Sequence, residues 1–384
     1  MESPEWDDWR KAEETKMRGM VENCVYKQVA RSKDKLLVGT KMIYKRKVGQ
    51  DGKVEKYKCR LVAQGLWQVE GVHYTEKYSP TPSTASIRMR FATAAAKDGE
   101  LRHFDAEQAF LKADIDEELY IEIPEKYQKF PGAVGRLSKA IYGLVQAGRC
   151  WNNKFCGNMA AIGFEQRKAD PGVFRKVVDC EAEVVVVIHV DDILAHAKDK
   201  ATMDRFAAEL GKKFKLKDMG DARYYMGCHI TRNRKACELK VDQHLYVESM
   251  VEKFDVKKES KIPATTGVPT LSKANGPGEG GNEEIPIPEA VRALMWTATM
   301  TRLDMMSAVR AVTRFCENPG AAHKKAVVKI MKYLLHTKDW GITYGGQGCG
   351  LCMEAYTDSD FGACLDTRRS VSGAVLKLAK GAIS

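Results

Sequence analysis

The sequence predicts an α+β protein of two or more domains, and three observations carry that expectation. Apolar runs of strand length alternate with amphipathic stretches of helical period through the first two thirds of the chain. Two adjacent carboxylates, Asp191 and Asp192, stand at the tip of one of those apolar strands. A Gly/Pro/Asn/Ser-rich break at 264–284, including Gly276-Pro277-Gly278-Glu279-Gly280-Gly281, separates this region from a helical stretch at 288–338. With 384 residues, 44% of them apolar, the chain can bury a sizeable core.

The elements follow in order. Pro4 to about Asn23 reads as a helix that packs through Trp6, Trp9 and Met20. Val38 to Val48 and Val54 to Val62 read as strands joined by Gly49-Gln50-Asp51-Gly52, where Asp-Gly suits a hairpin turn. Thr84 to Lys97 is Ala-rich and helical, and runs through Asp98-Gly99-Glu100 into a strand-like run ending at Leu111. Leu119 to Ile123 is a short strand stopped by Pro124, and Arg136 to Gly163 reads as a turn and a long helix carrying Tyr142, Leu144, Trp151 and Phe155. Downstream come a helix at Ala201 to Phe214, a strand pair at Asp221 to Thr231 and Cys237 to Val241, and a helix at Gln243 to Phe254. Beyond the break, Pro288 to Met300, Asp304 to Cys316 and Ala321 to Leu335 are helical. No internal repeat is present.

The acidic pair interrupts Val184 to Ile188 and Val190 on one side and Ile193 to Ala197 on the other, which read as buried strands. Asp is common in solvated turns; two acids aimed out of a core also make a hard-oxygen site for a divalent cation. A second acid, Asp105, interrupts Leu101 to Leu111 in the same way. If the two strands lie side by side, three carboxylates can hold two ions about 3.5–4 Å apart, an arrangement that activates an attacking 3′-hydroxyl and steadies a leaving pyrophosphate. That chemistry is nucleotidyl transfer.

The net charge of +11 is uneven: residues 31–60 hold eleven Lys or Arg against Asp34, Asp51 and Glu55. A phosphate-rich partner explains this window; a solvated edge hairpin protected by charge explains it too. The eleven cysteines are odd in number and scattered, with no secretory signal before them, which points to a reducing compartment. Cys349-x-x-Cys352 lacks a second pair and nearby His ligands, arguing against zinc there. No apolar run approaches the roughly 20 residues that span a bilayer.

Nine ordered blocks give the chain a family likeness: Glu5-Trp6 and the N-terminal Trp-containing segment; Tyr57-Lys58-Cys59-Arg60-Leu61-Val62-Ala63-Gln64-Gly65; Tyr78-Ser79-Pro80; Phe104-Asp105 with Ala109-Phe110-Leu111; Tyr142-Gly143-Leu144-Val145-Gln146-Ala147; His189-Val190-Asp191-Asp192; Thr301-Arg302-Leu303-Asp304; His323 to Tyr333; and Tyr356-Thr357-Asp358-Ser359-Asp360. In these the chain resembles the reverse transcriptase of copia-class LTR retrotransposons, nearly end to end. The resemblance implies a right-hand polymerase with fingers, a ferredoxin-like βαββ palm and a thumb over residues 1–262. A flexible linker at 263–287, a helical connection at 288–345 and the opening part of an RNase H-like domain at 346–384 would follow.

By the same resemblance, Asp105, Asp191 and Asp192 are catalytic and hold two Mg2+ ions, with Mn2+ as an alternative. Lys58 and Arg60, two apart and so on one face of a strand, contact the incoming deoxynucleoside triphosphate, or are plain surface charges. Gln146 lies under the sugar and base with Arg149 after it on the same helix, or the two are a polar pair at a helix N-terminus. Phe110 blocks a 2′-hydroxyl by collision, or is a core aromatic. Lys45, Arg46, Lys47 and His189 touch template and primer. His189 replaces the family's usual Tyr, Val145 and Gly148 replace a usual Lys and Pro, and Leu303 replaces a usual Pro.

The expected partners are an RNA template and a DNA or tRNA primer, beside other Pol segments such as integrase and protease. No membrane is expected. The expected location is intracellular: cytoplasmic, in a virus-like particle if the element is active, or nuclear. Lacking protease and integrase segments, the chain reads as a polyprotein fragment or truncated product. Two alternatives differ in class: a catalytically silent remnant that only binds nucleic acid, and a palm-fold nucleotide cyclase, which leaves the basic window unexplained. Asp358 matches the first RNase H carboxylate, a vestige here because its partners would lie beyond Ser384; no RNA cleavage and only loose order after about residue 346 are expected.

Overall fold

The computed structural model describes residues 5–32, 35, 37–48, 54–178, 181–264, 271–273 and 285–384. The hairpin turn at 49–53 and most of the 263–287 segment, including its Gly276–Gly281 run, lie outside the described residues. The fold is mixed α and β, with nine α-helices among the described residues. None of its helices is long and apolar enough to cross a membrane, among the described residues.

A six-stranded sheet holds the acidic hairpin. Its strand order is Leu216–Asp221, Glu100–Ala106, Asp192–Ala197, Glu181–His189, Val173–Val178, Glu165–Gln166. The strands that carry Asp105 and Asp192 are therefore neighbours, the condition for grouping the carboxylates.

Two compact units divide the chain. The first comprises Met1–Pro82, Phe104–Ile193 and Arg205–Asp218. Its N-terminal helix, Trp6–Glu22, sets the edge of Trp9 against Tyr44 and Tyr57, with ring centroids 5.6 and 4.5 Å away. Those tyrosines belong to a two-stranded hairpin, Thr40–Val48 with Val54–Ala63, called the basic hairpin below. Arg136 and Leu137, expected at the start of a turn and helix, instead end a strand, Ala133–Leu137, that pairs with Tyr26–Ala30; the helix begins at Ala147. Tyr142 and Leu144 therefore lie in the connection before it. Trp151, Phe155 and Phe214 form an aromatic core with centroids 5.3–6.0 Å apart.

The second unit comprises Ser83–His103, Leu194–Asp204 and Met219–Ser384. Helix Thr84–Lys97 has the predicted bounds, starts at an N-cap where Ser83 Oγ accepts from Ser86 N, and buries Phe91 and Ala92. The expected strand at Asp221 to Thr231 is broken by a tight turn: Met226 and Gly227 both have positive φ, the signature of a two-residue hairpin, which joins Tyr224–Tyr225 to Cys228–Asn233. Helices His244–Lys253, Ile287–Met300, Met306–Thr313 and Ala321–His336 share a core through Val247, Leu294, Val309 and Met331, and Leu271 packs into it too. The expected helix from Asp304 opens as a 3-10 turn, Leu303–Met305, and becomes α-helical at Met306. Asp304 is pulled aside by Arg302, which is 2% exposed, and accepts a hydrogen bond from the Tyr333 hydroxyl at 2.6 Å.

The tail corrects the expectation of loose order. Met353–Ser359, Ser372–Leu378 and Gly381–Ala382 form a three-stranded sheet. Its end is tied down: Gly345 N donates to Ala379 O, the Tyr344 hydroxyl donates to Ala382 O at 2.8 Å, and Leu378, Ala379 and Ile383 are buried. Backbone pairing and these apolar side chains supply the order. Met353–Ser359 itself is largely exposed, and Asp358 sits on it opposite Gly373.

Candidate active site

The acidic turn is built on a buried strand and a strained residue. Val184 to Ile188 are all buried, and the strand ends at His189. Val190 then takes φ +59°, a left-handed conformation that a β-branched side chain resists at a cost of about 1–3 kcal/mol. Trp151 holds it there: its indole Nε1 donates to Val190 O at 2.6 Å, and its ring is 2% exposed. The next carbonyl, of Asp191, accepts from Ala106 N at 2.9 Å, so the turn docks beside Asp105. Phe104 and Ala106 are buried, and alternation places Asp105 on the opposite face.

Asp191 feels the other two carboxylates. Burial pushes the Asp191 carboxyl above its usual range, and the charges of Asp192 and Asp105 push the same way, with His189 opposing. The three do not close into a cage: their oxygens are not among the described sets that all fall within 4.8 Å. In kind they fit divalent cations, being hard oxygen donors whose mutual repulsion a cation would relieve.

The basic hairpin faces like with like. Its register sets Lys45 opposite Lys58 and Lys47 opposite Lys56. The pairing concentrates positive residues along this hairpin. Lys45 and Arg46 are exposed, and Arg46 pairs with Glu5 at 3.0 Å; the Lys47 side chain lies outside the described residues.

A cavity of about 390 Å³ opens between this hairpin and the N-terminal helix, lined by Lys11, Lys16, Lys56, Lys58, Arg60 and Tyr142 among others. Five cations around one cavity suit a polyphosphate. Burial, then the Arg60 and Lys58 charges, bring the Lys16 ammonium down to about 8.

Tyr142 links the two charged regions. The Arg60 guanidinium lies 5.3 Å and the Lys16 ammonium 5.6 Å from its ring centroid, and the Phe110 ring meets it edge-on at 4.9 Å. Its hydroxyl is pushed up by burial and then by Asp191, with a smaller push from Asp105. Tyr142 is docked by its carbonyl, which accepts from Ala63 N at 2.8 Å. That close approach requires glycine next: Gly143 has φ +89°, and a Cβ there would lie 2.1 Å from Ala63 O.

Gln146 and Arg149 are spent inside the protein. Gln146, at the N-cap of helix Ala147–Ala161, is fully buried. Its amide donates to His73 O and Glu117 Oε2 and accepts from Gln68 Nε2. Arg149 pairs with Asp116 at 2.7 Å and Glu117 at 3.1 Å and donates to Glu76 O. Neither contributes to the cavity's lining.

The structure thus groups Asp105, Asp191, Asp192 and His189, and separately Lys58, Arg60 and Phe110 around Tyr142. Sequence reasoning missed Lys16, Lys11 and Tyr142 as site residues. Tyr142 stood in a quoted block, but Lys16 carried no signal beyond lying on a helix, since only the packing of that helix turns it toward Arg60.

A strained acidic turn and a basic cavity thus lie in one compact unit of the chain, and its relatives give the class of protein that carries them. Residues 23–268 match the family described as reverse transcriptase (RNA-dependent DNA polymerase). The chain belongs to this family, in its copia-class retrotransposon branch. It is 34% identical over 99% of its length to the retrovirus-related Pol polyprotein from transposon TNT 1-94 of Nicotiana tabacum, covering 29% of that protein. It is 28% identical over 98% of its length to the corresponding polyprotein from transposon RE1 of Arabidopsis thaliana, covering 25%. A putative transposon Ty5-1 protein of Saccharomyces cerevisiae is 26% identical over 72% of the chain and 89% of its own length. The chain thus spans about a quarter to 29% of the plant polyproteins it matches.

Proposed function

We propose that this chain is an RNA-directed DNA polymerase that adds deoxynucleotides to a primer 3′ end on an RNA template. One observation carries the reading: Tyr142 senses Asp191 and Asp105 while its ring carries Arg60 and Lys16, so carboxylates and phosphate-binding cations share one locus. Asp105, Asp191 and Asp192 would hold two Mg2+ ions, or Mn2+. The ions supply activation of the 3′-hydroxyl and charge stabilisation at the leaving pyrophosphate.

The chain's own residues do the remainder. Lys58, Arg60 and Lys16 hold the triphosphate by charge and hydrogen bonds. Phe110, braced by Tyr142, stands where a 2′-hydroxyl would collide. His189 borders the acidic turn and is suited to the primer. In this reading the basic hairpin belongs to the fingers, the six-stranded sheet to the palm and His244–Lys253 to a thumb within 1–262. The 263–287 linker, the 288–345 connection and an RNase H-like segment at 346–384 follow. Template RNA, a DNA or tRNA primer and other Pol segments are the partners, and the location is the cytoplasm, within a particle, or the nucleus. The test is Mg2+-dependent extension of a primed RNA by the purified chain; tight template binding with no extension would instead identify a silent remnant.

Three results are expected around this site. Phe110→Ala should raise ribonucleotide incorporation relative to deoxynucleotide, and an unchanged ratio in matched steady-state assays removes Phe110 from sugar choice. Lys45, Arg46 and Lys47 changed together to Ala should weaken binding to every template and flatten the plot of log affinity against log salt by nearly one unit per lost phosphate contact. A slope like that of the unmodified chain would make this strand a solvated edge.

Lys16 supplies the third. An ammonium at about 8 is charged at pH 7 and mostly neutral at pH 9, so deoxynucleotide KM should rise through pH 8. Lys16→Met should have a high KM at pH 7 and lose this dependence. A KM profile shared by both proteins would remove Lys16 from the triphosphate site.

A further inference from the structure

We propose that His229, Asp242 and His244 form a transition-metal site, with Zn2+ the best-suited ion, separate from the carboxylates of the polymerase reading. Among the described residues they make up the set of three His, Cys, Asp or Glu side chains whose ligand atoms all lie within 4.8 Å of one another. The fold brings them together in two ways. His229 and Asp242 are direct cross-strand partners in the pair Cys228–Asn233 and Glu238–Asp242, so both side chains emerge on one face. His244 follows two residues later as the first residue of helix His244–Lys253.

The distances suit a bound ion. His244 Nδ1 lies 2.5 Å from Asp242 Oδ1, His229 Nδ1 lies 3.8 Å from Asp242 Oδ2, and the two imidazole centroids are 5.0 Å apart at 84°. Tetrahedral zinc with bonds near 2.0–2.2 Å puts neighbouring ligand atoms about 3.3 Å apart. The observed separations, each to a different oxygen of the Asp242 carboxylate, fall on either side of that value, so the imidazoles must turn to share one ion. The Asp242 side chain is 5% exposed and fixed, whereas the two imidazoles are 38% and 27% exposed and can turn onto an ion. Their exposure also leaves the remaining position to water.

Donor type separates this site from the acidic turn. Two imidazoles and one carboxylate favour Zn2+, Ni2+ or Cu2+, whereas oxygen-only sites favour Mg2+ and Mn2+. The surroundings orient the ligands. His244 N donates to Asp242 Oδ1 at 3.3 Å, whereas Thr231 Oγ1, 3.4 Å from His229 Nδ1, competes with an ion for that nitrogen. Between the ligands, Gln243 is buried and accepts from Thr301 Oγ1 at 2.8 Å, which fixes the corner between strand and helix. Lys240 opposes as well: its Nζ lies 3.7 Å from Asp242 Oδ2 while donating to Asp339 O at 2.6 Å. An ion here would clasp the strand pair to a helix whose Val247, Met250 and Val251 enter the core.

The experiment is a Co2+ titration of the full chain followed by Zn2+ competition, with thermal unfolding as a second readout. Co2+ held by nitrogen and oxygen gives visible d–d bands without the near-ultraviolet thiolate charge-transfer band that the chain's cysteines would produce. One such ion per chain, displaced by Zn2+, is expected, with a Tm that rises with Zn2+ and falls back with chelator. His229→Gln and His244→Gln should each weaken Co2+ binding at least about tenfold, since losing even a hydrogen-bond partner of a ligand costs that much. Lys240→Gln, a surface change with little risk to folding, should tighten it. Absence of d–d bands, bands that persist in the two His variants, or a Lys240→Gln affinity no tighter than that of the unmodified chain would each overturn the proposal.

Discussion

Asp191→Asn is expected to reduce primer extension on RNA by at least about a thousandfold, as loss of a group essential to the reacting assembly does, while template affinity changes little. The substitution keeps the shape of the side chain and removes the charge that would hold the ions. It also has a stability signature of known sign. The Asp191 carboxyl is pushed up by burial and by its acidic neighbours, so the folded protein binds this proton more tightly than the unfolded chain does. Its contribution is complete below the unfolded carboxyl range and is lost as pH rises through the folded value. The Asp191→Asn variant should therefore be no less stable than the unmodified chain at neutral pH, and Mg2+ should raise Tm more in the unmodified chain than in the variant. Near-normal turnover in Asp191→Asn would remove this residue from catalysis.

Trp151→Ala is expected to cost about 3–5 kcal/mol, the usual penalty for truncating a buried indole. It would leave a void beside the stacked Phe155 and Phe214 rings and release the Val190 carbonyl. Trp151→Phe isolates the second effect. It retains most of the packing but loses the indole donor, at about 1–3 kcal/mol for the unsatisfied acceptor. Because that bond holds Val190 at positive φ, extension should fall in Trp151→Phe even at temperatures where the variant is fully folded. Denaturant unfolding beside single-turnover extension decides the matter. A Trp151→Phe variant with unaltered kcat would mean that the turn keeps its strained shape without help.

Much of the architecture was legible because it depends on local chemistry. Helix Thr84–Lys97 appears within its expected bounds, since Ala-rich periodicity and the Ser83 cap act within a few residues. Val184 to Ile188 read as a buried strand and form one, and the charges at its end drew attention to the acidic turn. Asp105 and the Asp191–Asp192 pair could be matched because both interrupt apolar runs in the same way. Where local rules failed, a distant partner had decided. Arg136 and Leu137 became a strand because Tyr26–Ala30 offers them an edge. Asp304 opens its helix as a 3-10 turn, where Arg302 and Tyr333 hold its carboxylate.

Within the candidate site, the sequence by itself picked out the three carboxylates and the cations Lys58 and Arg60, because residue type and alternation settle charge and face. Only the tertiary structure decided how those charges are deployed. Gln146 and Arg149 looked like nucleotide ligands, yet Glu117, Asp116, Gln68 and His73 occupy them, and such saturation depends on segments roughly 30 to 80 positions away that periodicity cannot place. Lys16 became a site residue through the docking of Trp9 on Tyr44 and Tyr57. His229 met Asp242 through strand register, which side-chain pattern and turn geometry fix across the whole pair. Burial then set the proton affinities of Lys16 and Asp191, because the cost of a charge depends on the neighbours and the water around it.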